Sequence, residues 1–339
     1  MPEQRITGGN AMNKIIFPLS SGETGCHRLD PIVKEQLKAK PSNGGFYEDY
    51  SPAAEDIDIP GARASATYGI DISADVEVQS FNIPCGTHYL PARRYRLPKA
   101  SRRVILYLHG GGFTVGSIAH KDAQCRYLAE TSRSTVISLE YRLAPENPYP
   151  AAIEDTITAR HYCSNLKPEK LIIGGDSAGG CLAANAIQQG SIPVDYAFFI
   201  YAALDLASAS QMKDPWSYSF YVCEEAEKPL VYNRLNRFRK LAEDIKVLYL
   251  QNNTDPLSEL VSPCRIQNVS RFPKSLFVIA EYDYYRFCNE AFAQRLEWQN
   301  IDNEILFYEG VDHGFFDRLG SLPQAKSCIE EIGSRIQRL

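Results

Sequence analysis

A serine framed by glycines, Gly174-Gly175-Asp176-Ser177-Ala178-Gly179-Gly180, constrains this chain of 339 residues more than any other stretch. It follows the apolar run Leu171-Ile172-Ile173 and precedes Cys181-Leu182-Ala183-Ala184-Asn185-Ala186, which reads as a helix. Strand, G-x-S-x-G, helix is the setting of a nucleophile elbow, a sharp turn that lifts a serine hydroxyl clear of a sheet. Small residues are required there because bulk would collide with the incoming strand or the departing helix. At the start of that helix, unpaired amides and the helix dipole favour developing negative charge. The pentapeptide alone is common and often marks nothing but a glycine-rich turn. Its flanking elements carry the argument.

Apolar strands and amphipathic helices alternate around this turn. Strands are expected at 103–108, 135–141, 170–174, 194–200, 275–280 and 304–308, with helices at about 121–131, 151–165, 289–300 and 323–336. An edge hairpin is expected from 76 to 97, where apolar and polar residues alternate. Buried strands alternating with helices imply an α/β fold with a mostly parallel central sheet flanked by helices. Residues 1–75, rich in Gly, Ser and Pro, show no strand pattern, and the first dozen are expected to be mobile. Within them, Asp30 and Pro31 mark a helix start. Residues 205–262 exceed what a crossover needs and hold Trp216, Tyr218, Phe220, Tyr221, Tyr232 and Phe238. They read as a helical insertion at the rim of the sheet, folded against the N-terminal segment. The division is thus an N-terminal segment over 1–75, an α/β domain over 76–339 that carries Ser177, and the insertion 205–262 within it.

Acyl transfer by Ser177 needs a base, an acid that orients the base, and amide donors for an oxyanion. The donors are sought in His109-Gly110-Gly111-Gly112-Phe113, directly after a strand, where glycines let the backbone aim its N–H groups inward. By position they are the amides of Gly111, Gly112 and Ala178. Of six histidines, only His313, in Asp312-His313-Gly314-Phe315, sits in a loop after a late strand C-terminal to the serine. Asp283, just past an apolar strand, fits the acid. Glu281 is its rival and Asp255 a weaker one, while Asp312 adjoins the histidine and points away from it.

Other chemistries find less footing. The formal net charge of -5 and the interleaved signs give no electrostatic footprint for nucleic acid. No apolar run approaches a membrane span. Cys85 and His88 form an isolated pair without two further ligands nearby, and no glycine-rich nucleotide motif follows a strand, so neither metal nor cofactor is expected. Nine scattered cysteines without a C-x-x-C pair, and no signal-like start, point to a thiol-containing cytoplasmic protein.

Together, HGGGF, EYRLAPE (140–146), GDSAGG (175–180) and the terminal DHGF resemble the hormone-sensitive-lipase-like carboxylesterases, a group of α/β-hydrolases that includes bacterial acetyl esterases and arylesterases. The likeness runs from about Val104 to the C-terminus. It implies Ser177 as nucleophile, Asp283 as acid, His313 as base, and Gly111, Gly112 and Ala178 as the oxyanion hole. It also implies a helical cap formed by residues 1–60 and 205–262. The family usually follows its acid with Pro-Leu, whereas Tyr284-Tyr285-Arg286 stands here. It commonly has Asp or Asn where Glu140 stands, a longer carboxylate read as structural. The expected activity is hydrolysis of small-molecule esters, with short acyl groups favoured by an aromatic insertion. An amidase, lactonase or deacetylase would share the motifs, and a receptor on the same scaffold would typically lack the histidine.

Overall fold

A computed structural model describes residues 4–5, 13–39, 53–65, 68–86, 88–207 and 216–339. The chain opens with strands β1 (Gln4–Arg5) and β2 (Lys14–Phe17), then helices α1 (Pro31–Lys38) and α2 (Ile59–Ala64). A hairpin follows, β3 (Glu77–Cys85) paired antiparallel with β4 (His88–Arg96). Then come β5 (Arg103–Leu108), α3 (Asp122–Ser132), β6 (Thr135–Leu139), α4 (Ala151–Asn165), β7 (Lys170–Asp176), α5 (Ala178–Gln189) and β8 (Tyr196–Ile200). A long excursion carries α6 (Lys228–Leu248) before β9 (Ser275–Tyr282), α7 (Arg286–Trp298), β10 (Asn303–Asp312) and α8 (Pro323–Gln337).

Among the described residues the strands form one sheet, in the order β1-β2-β10-β9-β8-β7-β5-β6-β4-β3. From β2 to β6 every neighbouring pair is parallel, and antiparallel pairs occur only towards the two edges. Side-chain alternation along the strands divides the core by faces. Val104, Leu106, Ile173 and Phe199 pack with α4, α5 and α7 on one face. Ile105, Tyr107, Ile172 and Phe198 pack with α3 and α8 on the other. Helix α6 contributes Val231 and Leu235 to the second core but Ala242 and Ile245 to the first. It therefore spans both faces, across the strand ends where the chain turns.

The α/β architecture, the edge hairpin and the alternation match the sequence pattern. Two strands do not. β2 lies in the stretch without strand pattern and pairs parallel with β10, Ile15 opposite Leu306. Four residues are too few to show a period, and Lys-Ile-Ile-Phe gains its order from a neighbour's unpaired edge. β10 runs on to Asp312, past an irregularity after Tyr308, because its polar end is buried against partners. α7 starts at Arg286 rather than near 289. The mobility expected of the first dozen residues lies outside the described residues, apart from Gln4–Arg5. Within the excursion, buried Glu227 receives the Leu29 amide at 2.5 Å and the Lys34 ammonium at 2.6 Å, which ties α6 to the start of α1.

Candidate active site

Ser177 stands between β7 and α5 with φ 52° and ψ −118°, a conformation that a side chain adopts only under constraint. Its amide donates to the Ile200 carbonyl at 2.9 Å, and its carbonyl accepts from Cys181 at 3.2 Å and Ala203 at 3.0 Å. The turn survives because its neighbours are small. A Cβ at Gly179 would overlap the carbonyl oxygen of Leu108, so only glycine lets α5 lie this close to β5.

His313, in the loop after β10, places Nε2 2.9 Å from Ser177 Oγ and Nδ1 2.9 Å from Asp283 Oδ1. All three residues are buried. Phe238, Tyr201 and Tyr285 surround the imidazole, with ring centroids 4.1, 4.6 and 5.6 Å away. Asp283 Oδ1 also accepts the Tyr285 amide at 3.0 Å, and Tyr221 donates its hydroxyl to the Asp283 carbonyl at 2.7 Å. Tyr285 and Tyr221 thus hold the Asp283 backbone and carboxylate, which stays in reach of the imidazole. An imidazole between a hydroxyl and a carboxylate can take a proton from the first while the second fixes its tautomer.

The glycine turn faces the same space. Gly111 adopts φ 133°, where a Cβ would overlap the Val115 carbonyl, and Gly112 adopts φ 58°. Thr114 and Val115 donate to Gly111 O at 3.1 and 2.9 Å, which fixes the turn. The amides of Gly111, Gly112 and Ala178 donate to no acceptor among the described residues. Asp176 braces the assembly from below, accepting from the Gly110 amide at 2.9 Å and the Tyr107 hydroxyl at 2.6 Å. Glu140 accepts the Ile118 amide at 2.8 Å, a tie between strand end and loop. Ser177, His313, Gly111 and Gly112 line a cavity of about 430 Å³ beneath α6. A larger cleft, about 660 Å³, opens near Lys274, Glu297 and Arg335, but no histidine, serine or cysteine lines it among the described residues.

Residues 105–317, more than half the chain, match the family described as alpha/beta hydrolase fold. The chain belongs to that family. Curated relatives of this α/β-hydrolase include the carboxylic ester hydrolase LipN of Mycobacterium tuberculosis, 28% identical over 92% of this chain and 84% of the relative. The arylesterase of Saccharolobus solfataricus is 29% identical over 77% of this chain and 83% of its own. Among solved structures, a Pyrobaculum calidifontis esterase superimposes with a TM-score of 0.69 at 28% identity, covering 92% of this chain and 98% of its own. An ester-hydrolase from the metagenome of Lake Arreo gives 0.73 at 26%, covering 91% and 98%. The likeness to the hormone-sensitive-lipase-like esterases, carried by the motifs, holds.

The hydrolase's other candidate acids lie elsewhere. Glu281 accepts the Gly310 amide at 2.8 Å and pairs with His27 at 3.1 Å. Asp255 is exposed and caps its own turn through the Leu257 amide at 2.9 Å. Asp312 lies between Arg234 and Arg318, at 2.5 and 2.6 Å. Burial works against its charge, but the two guanidiniums prevail and hold its pKa down at about 2. His109 is buried and stacked on Tyr141, and burial pushes its pKa down to about 4.

Sequence reasoning missed several cavity residues. Lys121 is buried between Asp176, at 2.9 Å, and Asp317, and these carboxylates outweigh burial to raise its pKa. His120 also lines the space, yet a position at a helix start gave neither residue a signal. Arg234, Arg237, Phe238 and Leu241 face it from one stripe of α6. Their helical spacing was readable, but basic residues on a helix ordinarily mark a solvated face. Of the aromatics expected to narrow the pocket, only Phe238 lines it among the described residues. Trp216 and Tyr232 pack against Tyr218 instead, edge-on or tilted, as Phe220 and Tyr221 pack edge-on against Phe287. The fold also brings Asp155 to Cys85 and His88, with ligand atoms within 4.8 Å, a third partner the sequence did not show. That carboxylate already accepts from the Arg142 amide at 2.9 Å and guanidinium at 2.7 Å, so its charge is met.

Proposed function

We propose that this α/β-hydrolase cleaves carboxylic esters through an acyl-enzyme, with Ser177 as nucleophile, His313 as general base and Asp283 as its orienting acid. The observation that carries the reading is the chain of contacts from Ser177 Oγ through His313 to Asp283, both steps at 2.9 Å. His313 Nε2 takes the hydroxyl proton as Oγ bonds to the ester carbonyl carbon. The carbonyl oxygen becomes an oxyanion held by the amides of Gly111, Gly112 and Ala178, each worth roughly 3 kcal/mol in comparable sites. The C–O bond to the alcohol then breaks, and the imidazolium returns its proton to the leaving oxygen. Water repeats the cycle on the acyl-serine, releasing the carboxylic acid and free Ser177. Asp283 stays ionised throughout and stabilises the imidazolium.

Amides and lactones would follow the same steps. Esters are favoured because the relatives over most of the chain are named as ester hydrolases. Residues 1–60 and 205–262 act as the cap, a reading supported by α6 closing the cavity and by the tie between Glu227 and α1. A cavity near 430 Å³ stands at the small end of ligand sites, which supports short acyl groups. Nine unpaired cysteines suit a reducing compartment such as the cytoplasm, and among the described residues no helix is long and apolar enough to cross a membrane. The test is hydrolysis of short p-nitrophenyl esters by wild type and Ser177→Ala. The variant should lose about 10⁶-fold in kcat. A variant that kept full turnover would end the assignment.

A further inference from the structure

The charges around the cavity pair off with one exception. Lys121 sits between Asp176 and Asp317. Arg234 and Arg318 share Asp312. Asp244, two turns beyond Arg237 on α6, has an interaction of its own. Arg237 lines the cavity and reaches no carboxylate or hydrogen-bond acceptor among the described residues. It is open to solvent within the cavity, yet burial among protein atoms lowers its pKa. The neighbouring Arg234 lowers it further, and Asp312 opposes them only in part. A solvent-facing guanidinium on a cavity wall, with a like charge beside it and no protein acceptor among the described residues, is free to take an incoming anion. An anion delivered into the cavity would meet it.

Its position fixes what such an anion would belong to. Phe238, the next residue, packs its ring 4.1 Å from that of His313. Leu241, one turn on, lies 3.2 Å from where a Gly112 side chain would start. The stripe of α6 that carries Arg237 therefore passes directly over the imidazole and the glycine turn. A group bound by Arg237 lies within a short ligand's length of the ester bond.

Building on the ester-hydrolase reading, we infer that Arg237 recognises a carboxylate on the substrate, so that the preferred esters carry a negative charge on their acyl or alcohol part. The planar guanidinium offers paired N–H donors that match a carboxylate's two oxygens, and no covalent step beyond ester cleavage is involved. The pocket joins apolar side chains, Ile59, Val115, Phe238 and Leu241 among them, to four cations, Lys121, Arg234, Arg237 and Arg318, of which Arg237 alone lacks a carboxylate partner among the described residues.

The experiment compares matched esters. Mono-p-nitrophenyl adipate is set against p-nitrophenyl hexanoate for the acyl side, and 4-acetoxybenzoate against 4-methylphenyl acetate for the alcohol side. In one pair the charged ester should be preferred in kcat/KM by about tenfold or more. Arg237→Gln should abolish that preference, Arg237→Lys should restore part of it, and added salt should weaken it. Adipate binding to Ser177→Ala, followed by calorimetry, should weaken about tenfold when Arg237→Gln is added. A charged-to-neutral ratio that Arg237→Gln leaves unchanged, or adipate that binds both variants alike, overturns the inference. The binding arm needs no turnover, so a chain inert towards all esters would refute the hydrolase reading and still decide the carboxylate site.

Discussion

At the ends of β5 and β7 backbone touches backbone. Gly179 lies against the Leu108 carbonyl and Gly111 against that of Val115, with no room for a single methyl group. Above them α6 meets the same cavity through side chains alone, Arg234, Arg237, Phe238 and Leu241. The lower wall fixes where a hydroxyl, an imidazole and open amides stand. On the upper wall Arg234 is tied to the histidine loop, whereas Arg237 has no such bond among the described residues and can change without moving them. In the proposed reading, chemistry is held by steric necessity, whereas substrate choice falls to long, adjustable side chains.

The sharpest test of the lower wall is the acid proposed for it. Asp283→Asn should cut kcat by about 10⁴-fold, because the amide favours the wrong imidazole tautomer. Glu281→Gln, two residues away and engaged with Gly310 and His27, should cost far less. Comparable losses for the two would remove the distinction drawn between them.

Next in size are the glycines. Gly111→Ala should lower kcat by roughly 10²- to 10³-fold, the scale of a lost oxyanion donor, because the new Cβ meets a backbone carbonyl that cannot yield. At Gly112 the obstacle is a Leu241 methyl 3.2 Å away, so Gly112→Ala should lose less. Adding Leu241→Ala should recover part of the Gly112→Ala loss and none of the Gly111→Ala loss. Equal rescue of both would mean that the two walls are not held differently.

How much of this was readable follows the same division. The elbow, the glycine turn and the loop histidine announce themselves because backbone crowding admits few residues, and such restriction leaves a pattern. The strand and helix alternation was legible for a related reason, since two-faced burial writes period and length into the sequence. β2 escaped because four apolar residues show no period, and its order comes from β10. Lys121 and Arg237 escaped because a lysine at a helix start and an arginine on a helix face read as ordinary surface residues until the fold buries the first and sets the second on a cavity wall. The aromatics of the excursion misled for the converse reason. They pack among themselves, and only Phe238 turns inward.

A smaller effect tests the bond between the walls. Arg234 donates to Asp312 at 2.5 Å and to the His313 carbonyl at 2.6 Å, so it joins α6 to the histidine loop. Arg234→Met should lower kcat/KM by about tenfold, as expected when a charged hydrogen bond that positions a reacting group is lost. The substitution leaves Asp312 with Arg318 alone.

The two walls should also part under acid, in separable pH windows. His109, beneath the glycine turn, has its pKa depressed by burial from 6.5 to about 4. Between those values the unfolded chain binds a proton that the folded chain refuses. Its contribution is therefore complete above pH 6.5 and is lost as pH falls towards 4, on the order of 3 kcal/mol in all. Asp312 acts lower. Its carboxylate stays ionised down to about 2 against an ordinary 3.8, so its contribution is present above 3.8 and lost as pH falls through 2. Thermal melting followed against pH should show a decline from 6.5 to 4 that His109→Gln flattens and Arg234→Met leaves alone. Arg234→Met should instead flatten the limb below pH 4. If the upper limb survives unchanged in His109→Gln, acid enters through some other group and the lower wall is not the first to feel it.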